Sequence, residues 1–224
     1  MKTNPKQGRL LISLGLLMVL LSFSLIVYNI YIDRQAERMA RQVIAELDEH
    51  LSPNTPPETC AEITPLPDDE PFETEEIEIE IEIPDYVLNP EMEMPTKTIH
   101  GTDYIGILTI PFLELELPII GEWSYSNLKN APCRYSGSAY SDNLVIAGHN
   151  FYSHFGGLKN LRENDTIGFS DMDGNTFTYK VVLYEVLNAS DVEDMISSDW
   201  DMTLFTCTMD GQSRITIRCV REGK

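Results

Sequence analysis

Basic residues are scarce in this chain: 16 lysines and arginines stand against 36 aspartates and glutamates in 224 residues. No basic stripe is available to neutralise phosphates, which excludes nucleic acid as a partner. The deficit is uneven. Residues 61–97 hold 13 acidic residues and one lysine, whereas residues 101–224 hold 17 acidic and nine basic. The acidity is therefore mostly a property of a connecting segment. Cysteine is also sparse. Cys60, Cys133, Cys207 and Cys219 form no CxxC pair and no zinc pattern, so the sequence implies no metal and no other cofactor. Nor do they build a disulfide framework, although Cys60 and Cys133 are the pair an oxidising compartment would offer. After residue 32 no second apolar run of membrane length occurs.

What is present begins with a short basic stretch, residues 1–9, carrying Lys2, Lys6 and Arg9. Leu10 to Ile32 then runs 23 residues without a charge. As a helix this is about 34 Å, enough to cross a bilayer. A cleaved signal peptide would have a shorter apolar region and a small-x-small site after it. Here the run closes on Tyr28, Tyr31 and Asp33, the pattern of an interfacial belt. Residues 10–32 are read as an uncleaved transmembrane anchor. Arg34, Arg38 and Arg41 follow it and weaken the charge contrast that sets orientation, but a basic N-terminus inside remains the simpler arrangement.

Residues 33–51 continue as a juxtamembrane helix, with Ala36, Ala40, Val43, Ile44, Leu47 and Leu51 at three- and four-residue spacings. The expectation is a solvated stalk. Residues 52–100 read as an acidic, proline-punctuated linker that stays extended. Within it, Glu76 to Ile83 alternates strictly and is either a strand that docks on the folded domain or a spacer.

From residue 101 to 224 the pattern becomes mainly β, with many short strands and evenly spaced turns, which indicates a barrel or a sandwich. Asp210-Gly211 between alternating strands is a strong hairpin signal for a two-residue type I′ turn. That register sets Cys207 opposite Arg214 and puts Met202, Leu204, Thr206, Ile215, Ile217 and Cys219 on the other, apolar face. A thiol nucleophile needs a proton carrier and an oxyanion partner. Of His100, His149 and His154, His149 is the best placed, just after the apolar strand Asn143–Ala147 and a glycine. Arg218 shares the face of Arg214 but lies further along the strand, and is read as a groove-edge charge or surface residue.

Several segments then resemble the sortases, cysteine transpeptidases of Gram-positive cell surfaces. Thr203-Leu204-Phe205-Thr206-Cys207 matches their TLxTC signature, and Ile146-Ala147-Gly148-His149-Asn150 is similar to their histidine strand end. Arg214 stands where their arginine follows the cysteine. Tyr104 to Pro111 and Arg134 to Ser138 resemble their opening strand and the segment before the histidine. The matches fall in the family's order over about residues 101–222. The resemblance implies a closed eight-stranded sortase-type β-barrel behind an N-terminal transmembrane helix. It implies catalytic residues His149, Cys207 and Arg214, with a substrate-binding role for Thr206. It further implies a cell-membrane location, single-pass, with the catalytic domain extracellular. The expected substrate is an LPxTG-like sorting signal, and the expected acceptor is a peptidoglycan-precursor amine. A class A- or D-like enzyme fits better than a pilin-polymerising class C enzyme. A cysteine hydrolase using water and a non-catalytic surface adaptor are the alternatives.

Overall fold

The computed structural model describes residues 5–51, 83–197 and 199–223. Cys60 and the Glu-Ile run up to residue 82 lie outside the described residues.

A single helix, α1, runs from Pro5 to Leu51. Its stretch of 40 residues from Gly8 to Leu47 is long and apolar enough to cross a membrane. The apolar side chains from Leu10 to Tyr31 are exposed. Beyond Asp33 the helix changes character. Ala36, Ala40, Val43, Ile44 and Leu47 are buried, and the last three pack against Ile99, Tyr104, Ile107, Ile120, Ala131 and Cys133. The solvated stalk is thus corrected: this stripe docks on the outside of the folded domain. The helical spacing was readable, but its partner surface exists only after the strands close.

A short helix, α2 (Asp85–Leu88), and a strand, β1 (Lys97–Ile99), follow. Both fall where a linker was expected. Tyr86 stacks on Tyr140 with centroids 4.7 Å apart, and Met94 is buried in the core, so packing onto the barrel begins well before residue 101.

The barrel consists of β2 (Thr102–Ile110), β3 (Leu115–Ile120), β4 (Cys133–Ser136), β5 (Leu144–Ala147), β6 (Thr166–Asp171), β7 (Thr176–Asn188), β8 (Met202–Cys207) and β9 (Ser213–Arg221). Around it the strands run β2, β3, β4, β5, β8, β9, β7, β6, and β6 pairs back onto β2. The closed eight-stranded barrel is therefore as expected, with β1 added on the start of β2. A register irregularity between Tyr104 and Gly106 switches the parity of β2. Ile105, Leu108 and Ile110 then join the interior, while Tyr104 and Ile107 join the outer cluster under α1. Both faces of β2 are covered, which explains its near-continuous apolar run.

The closing hairpin keeps the expected register, with Cys207 opposite Arg214 and Met202 opposite Cys219. Its turn differs. Gly211 has φ +72°, but Asp210 does not take positive φ, so no type I′ turn forms. Instead Gly211 N–H donates to Thr208 O at 2.9 Å. Thr208 Oγ1 accepts Ser213 N–H at 3.1 Å, standing in for the carbonyl that the turn has taken. The number of residues between Thr208 and Ser213 is the same in either turn, so the register survives the change.

Candidate active site

Cys207 ends β8 and is partly exposed, whereas Cys133 and Cys219 are fully buried. Burial pushes the Cys133 thiol up to about 12 and the Cys219 thiol higher still, so neither is a ready nucleophile. Arg214 lies directly across from Cys207 and lines the same cleft. Its Nη1 donates to Ser213 O (3.0 Å) and Gly211 O (3.2 Å), which tethers the guanidinium to the hairpin turn.

The imidazole arrives on a different strand. β5 runs parallel to β8, with Ala147 beside Phe205, and Gly148 N–H donates to Phe205 O at 3.0 Å. The chain therefore leaves β5 for the His149 loop beside the end of β8 that carries Cys207. Glycine is required between Ala147 and His149. A Cβ on Gly148 would sit 2.2 Å from the ring of Phe155, whose N–H donates back to His149 O at 3.1 Å. The His149 ring stacks on Phe151, with centroids 3.9 Å apart and planes 6° from parallel. Burial, and then the charge of Lys129, hold its pKa below the ordinary imidazole value. The ring therefore starts largely neutral at pH 7 and can accept a proton.

The other two domain histidines are elsewhere. His100 is exposed, 4.0 Å from Glu46 of α1. His154 is fully buried, and neither ring nitrogen has a hydrogen-bond partner among the described residues.

Cys207, Arg214, Phe205 and Thr206 border a cleft of about 180 Å³ on the outer face of the barrel. One wall is aromatic. Trp123 meets Tyr135 edge-on at 5.6 Å, and Tyr135 meets Phe205 at 5.2 Å. Val192 and Met195 of a short helix, α3 (Val192–Met195), also line the cleft. Phe205 was legible, since it shares strand parity with Cys207. Trp123 and Tyr135 were not, because they come from separate segments that only the closed barrel brings together.

Arg218 requires a correction. It is neither a groove-edge charge nor a surface residue, being 2% exposed. Nε donates to Glu185 (2.6 Å), Nη1 to Thr203 Oγ1 (3.0 Å) and Met195 O (3.1 Å), and Nη2 to Asp194 O (2.6 Å). α3 folds over this part of the outer face, and Arg218 binds its last carbonyls from below. The residue thus holds one wall of the cleft. Thr206 faces the interior, as the register requires, and its hydroxyl is buried with no hydrogen-bond partner among the described residues.

A thiol, a guanidinium and an imidazole at one end of a closed β-barrel define a protein equipped for thiol-based acyl chemistry. The family model of the sortase domain matches residues 108–222, just over half of the chain, so the chain belongs to the sortase family of cysteine transpeptidases. Sortase A from Corynebacterium diphtheriae is 24% identical, with a TM-score of 0.50, over 55% of this chain and 62% of that one. Streptococcus pneumoniae sortase C is 23% identical, with a TM-score of 0.50, over 57% of this chain and 69% of that one. The likeness is one of fold, and it is common to a class A and a class C structure. The chain matches under two thirds of the Corynebacterium protein's length. No curated protein matches it.

Proposed function

We propose that this chain is a membrane-anchored transpeptidase that cleaves an LPxTG-like sorting signal and transfers the cleaved protein to a cell-wall amine. The observation that carries the reading is Arg214 directly across from Cys207, with β5, which leads into the His149 loop, running parallel to β8 beside them.

In the proposed reaction Cys207 Sγ attacks the carbonyl carbon of the threonine-like residue, and the thiol proton passes to His149 Nε2 or Nδ1. Arg214 N–H groups stabilise the tetrahedral oxyanion. The peptide C–N bond then breaks, and the departing amine takes the proton from His149. A thioacyl enzyme remains. An incoming amine, of the kind carried by a peptidoglycan precursor, attacks the thioester carbon and gives a proton to His149. The C–S bond breaks, and Cys207 recovers that proton. Thr206 is assigned to substrate binding through the main chain that borders the cleft, since its side chain faces inward. Residues 10–32 are assigned as the single span, with the barrel outside the cell, and residues 1–9 inside.

The test is mass spectrometry of the full chain in detergent, incubated with pentapeptide sorting signals. The expected result is an acyl adduct on Cys207 that an added amine resolves. Cys207→Ala should abolish the adduct and Cys219→Ala should leave it. Equal adduct formation by both variants would sink the assignment, and release at the same rate without amine would favour a hydrolase.

A further inference from the structure

The loop that carries His149 is held from outside the barrel. Asp33 is the first charged residue after the uncharged run of α1. Its Oδ1 accepts the N–H of Ser153 at 3.0 Å and the O–H of Ser153 at 2.6 Å. Ser153 belongs to the same loop as His149. Four residues span at most about 14 Å, so His149 lies within that distance of Ser153, the residue that Asp33 holds.

The loop's other hydrogen bonds are mostly internal. His154 N–H and Gly156 N–H both reach Phe151 O (3.1 and 2.8 Å), and Phe155 N–H reaches His149 O. Beyond the Gly148 N–H bond to Phe205 O at its root, its polar ties to other parts of the protein, among the described residues, are Asn150 Nδ2 to Met209 Sδ at 3.5 Å and Ser153 to Asp33. The Asn150 tie joins an amide to a weak sulfur acceptor. The Ser153 tie is charge-assisted and doubled, about twice as strong per bond as a neutral one. From Ser153 the contacts are continuous. His154, next in the chain, is fully buried and lies 5.6 Å from Phe151, centroid to centroid. Phe151 in turn stacks on His149.

We infer that Asp33 is a positioning residue for His149: the exit of the apolar helix clamps the histidine loop through Ser153, and the anchor thereby sets where the imidazole sits. This rests on the role proposed for His149. Neither Asp33 nor Ser153 lines the cleft beside Cys207, so loss of the clamp is expected to act on turnover. Misplacing a catalytic group by about 1 Å costs up to about a hundredfold in rate.

The experiment uses the full chain in lipid vesicles. Asp33→Ala is expected to lower kcat for peptide cleavage about ten- to hundredfold with KM unchanged. Asp33→Asn keeps the Oδ1 acceptor and is expected to restore most of kcat. Carbethoxylation mapped by mass spectrometry gives a readout independent of turnover. His154 is expected to be protected from diethyl pyrocarbonate in the parent chain and in Asp33→Asn, and to react in Asp33→Ala. The inference is overturned if Asp33→Ala keeps its kcat, if Asp33→Asn loses as much as Asp33→Ala, or if the loss falls on KM. A parent chain inert to every sorting peptide would count against the proposed function. The labelling of His154 would still support or overturn the clamp.

Discussion

Replacing Arg218 with alanine removes a guanidinium from a site where it is only 2% exposed and leaves four acceptors without their donor. Breaking a buried ion pair from one side costs about 3–5 kcal/mol, mostly because the orphaned charge cannot regain water. The orphan here is Glu185, whose side chain is 30% exposed, so it recovers part of its hydration. That moves the expectation to about 3 kcal/mol, with the main-chain carbonyls of Asp194 and Met195 and the Thr203 hydroxyl contributing non-additively. Urea unfolding followed by tryptophan fluorescence measures it, since Trp123 stands in the cleft wall. The same variant should raise KM for the sorting peptide, because α3 loses its tether while Cys207, His149 and Arg214 keep theirs. Glu185→Gln retains a hydrogen-bond acceptor and should cost less than half as much. An Arg218→Ala chain within about 0.5 kcal/mol of the parent, an ordinary value for a surface substitution, would refute the reasoning and restore the groove-edge reading.

Two other predictions concern the hairpin and the buried histidine. One residue inserted between Asp210 and Gly211 should displace Arg214 from Cys207 and lower thioacyl formation at least about tenfold, while thermal unfolding shows the barrel intact; full activity would mean the register is not what sets the site. His154 is pushed down to about 4 from 6.5, first by burial and then by the neighbouring His149, with Asp33 opposing. Between those two pH values the unfolded chain binds a proton that the folded chain refuses, so stability should fall as pH drops through that window, by roughly 3 kcal/mol at its lower end. Denaturant titrations at pH 7 and pH 4.5 measure the loss, and His154→Leu should remove most of it. An acid limb of the same size in His154→Leu would assign the effect to other groups.

The parts of the site that could be read from sequence are those set by local periodicity. A period of two fixes which residues share a face, and one hairpin fixes who stands opposite whom, so Cys207 against Arg214 followed from strand logic alone. The turn type did not follow, because Thr208 offers a side-chain acceptor that competes with the carbonyl, and Asp210-Gly211 contains no sign of that competition. The helical stripe from Ala36 to Leu47 was visible as a stripe, yet its burial depends on Ile120 of β3 and on Tyr104 and Ile107 of β2, and those two share the outer face only because β2 changes parity between them. Tyr86 and Met94 were lost in a run of carboxylates whose composition outweighed two apolar anchors.

Arg218 shows a more general reason for what sequence hides. On the outer face of β8 and β9 the residues Thr203, Phe205 and Cys207 face Arg218, Thr216 and Arg214. Read as a strand pair, this is one polar face exposed to water along its whole length. The fold divides it in two. At the far end α3 covers Thr203, Thr216 and Arg218, and every polar atom there must find a protein partner. At the near end the face stays open, and Cys207 and Arg214 border the cleft. The two arginines are four residues apart with the same parity, so no local rule separates them. What separates them is the position of a four-residue helix contributed by the β7–β8 connection. The buried arginine fixes that helix, the helix closes one end of the groove, and the second arginine is thereby left as the cation beside the thiol.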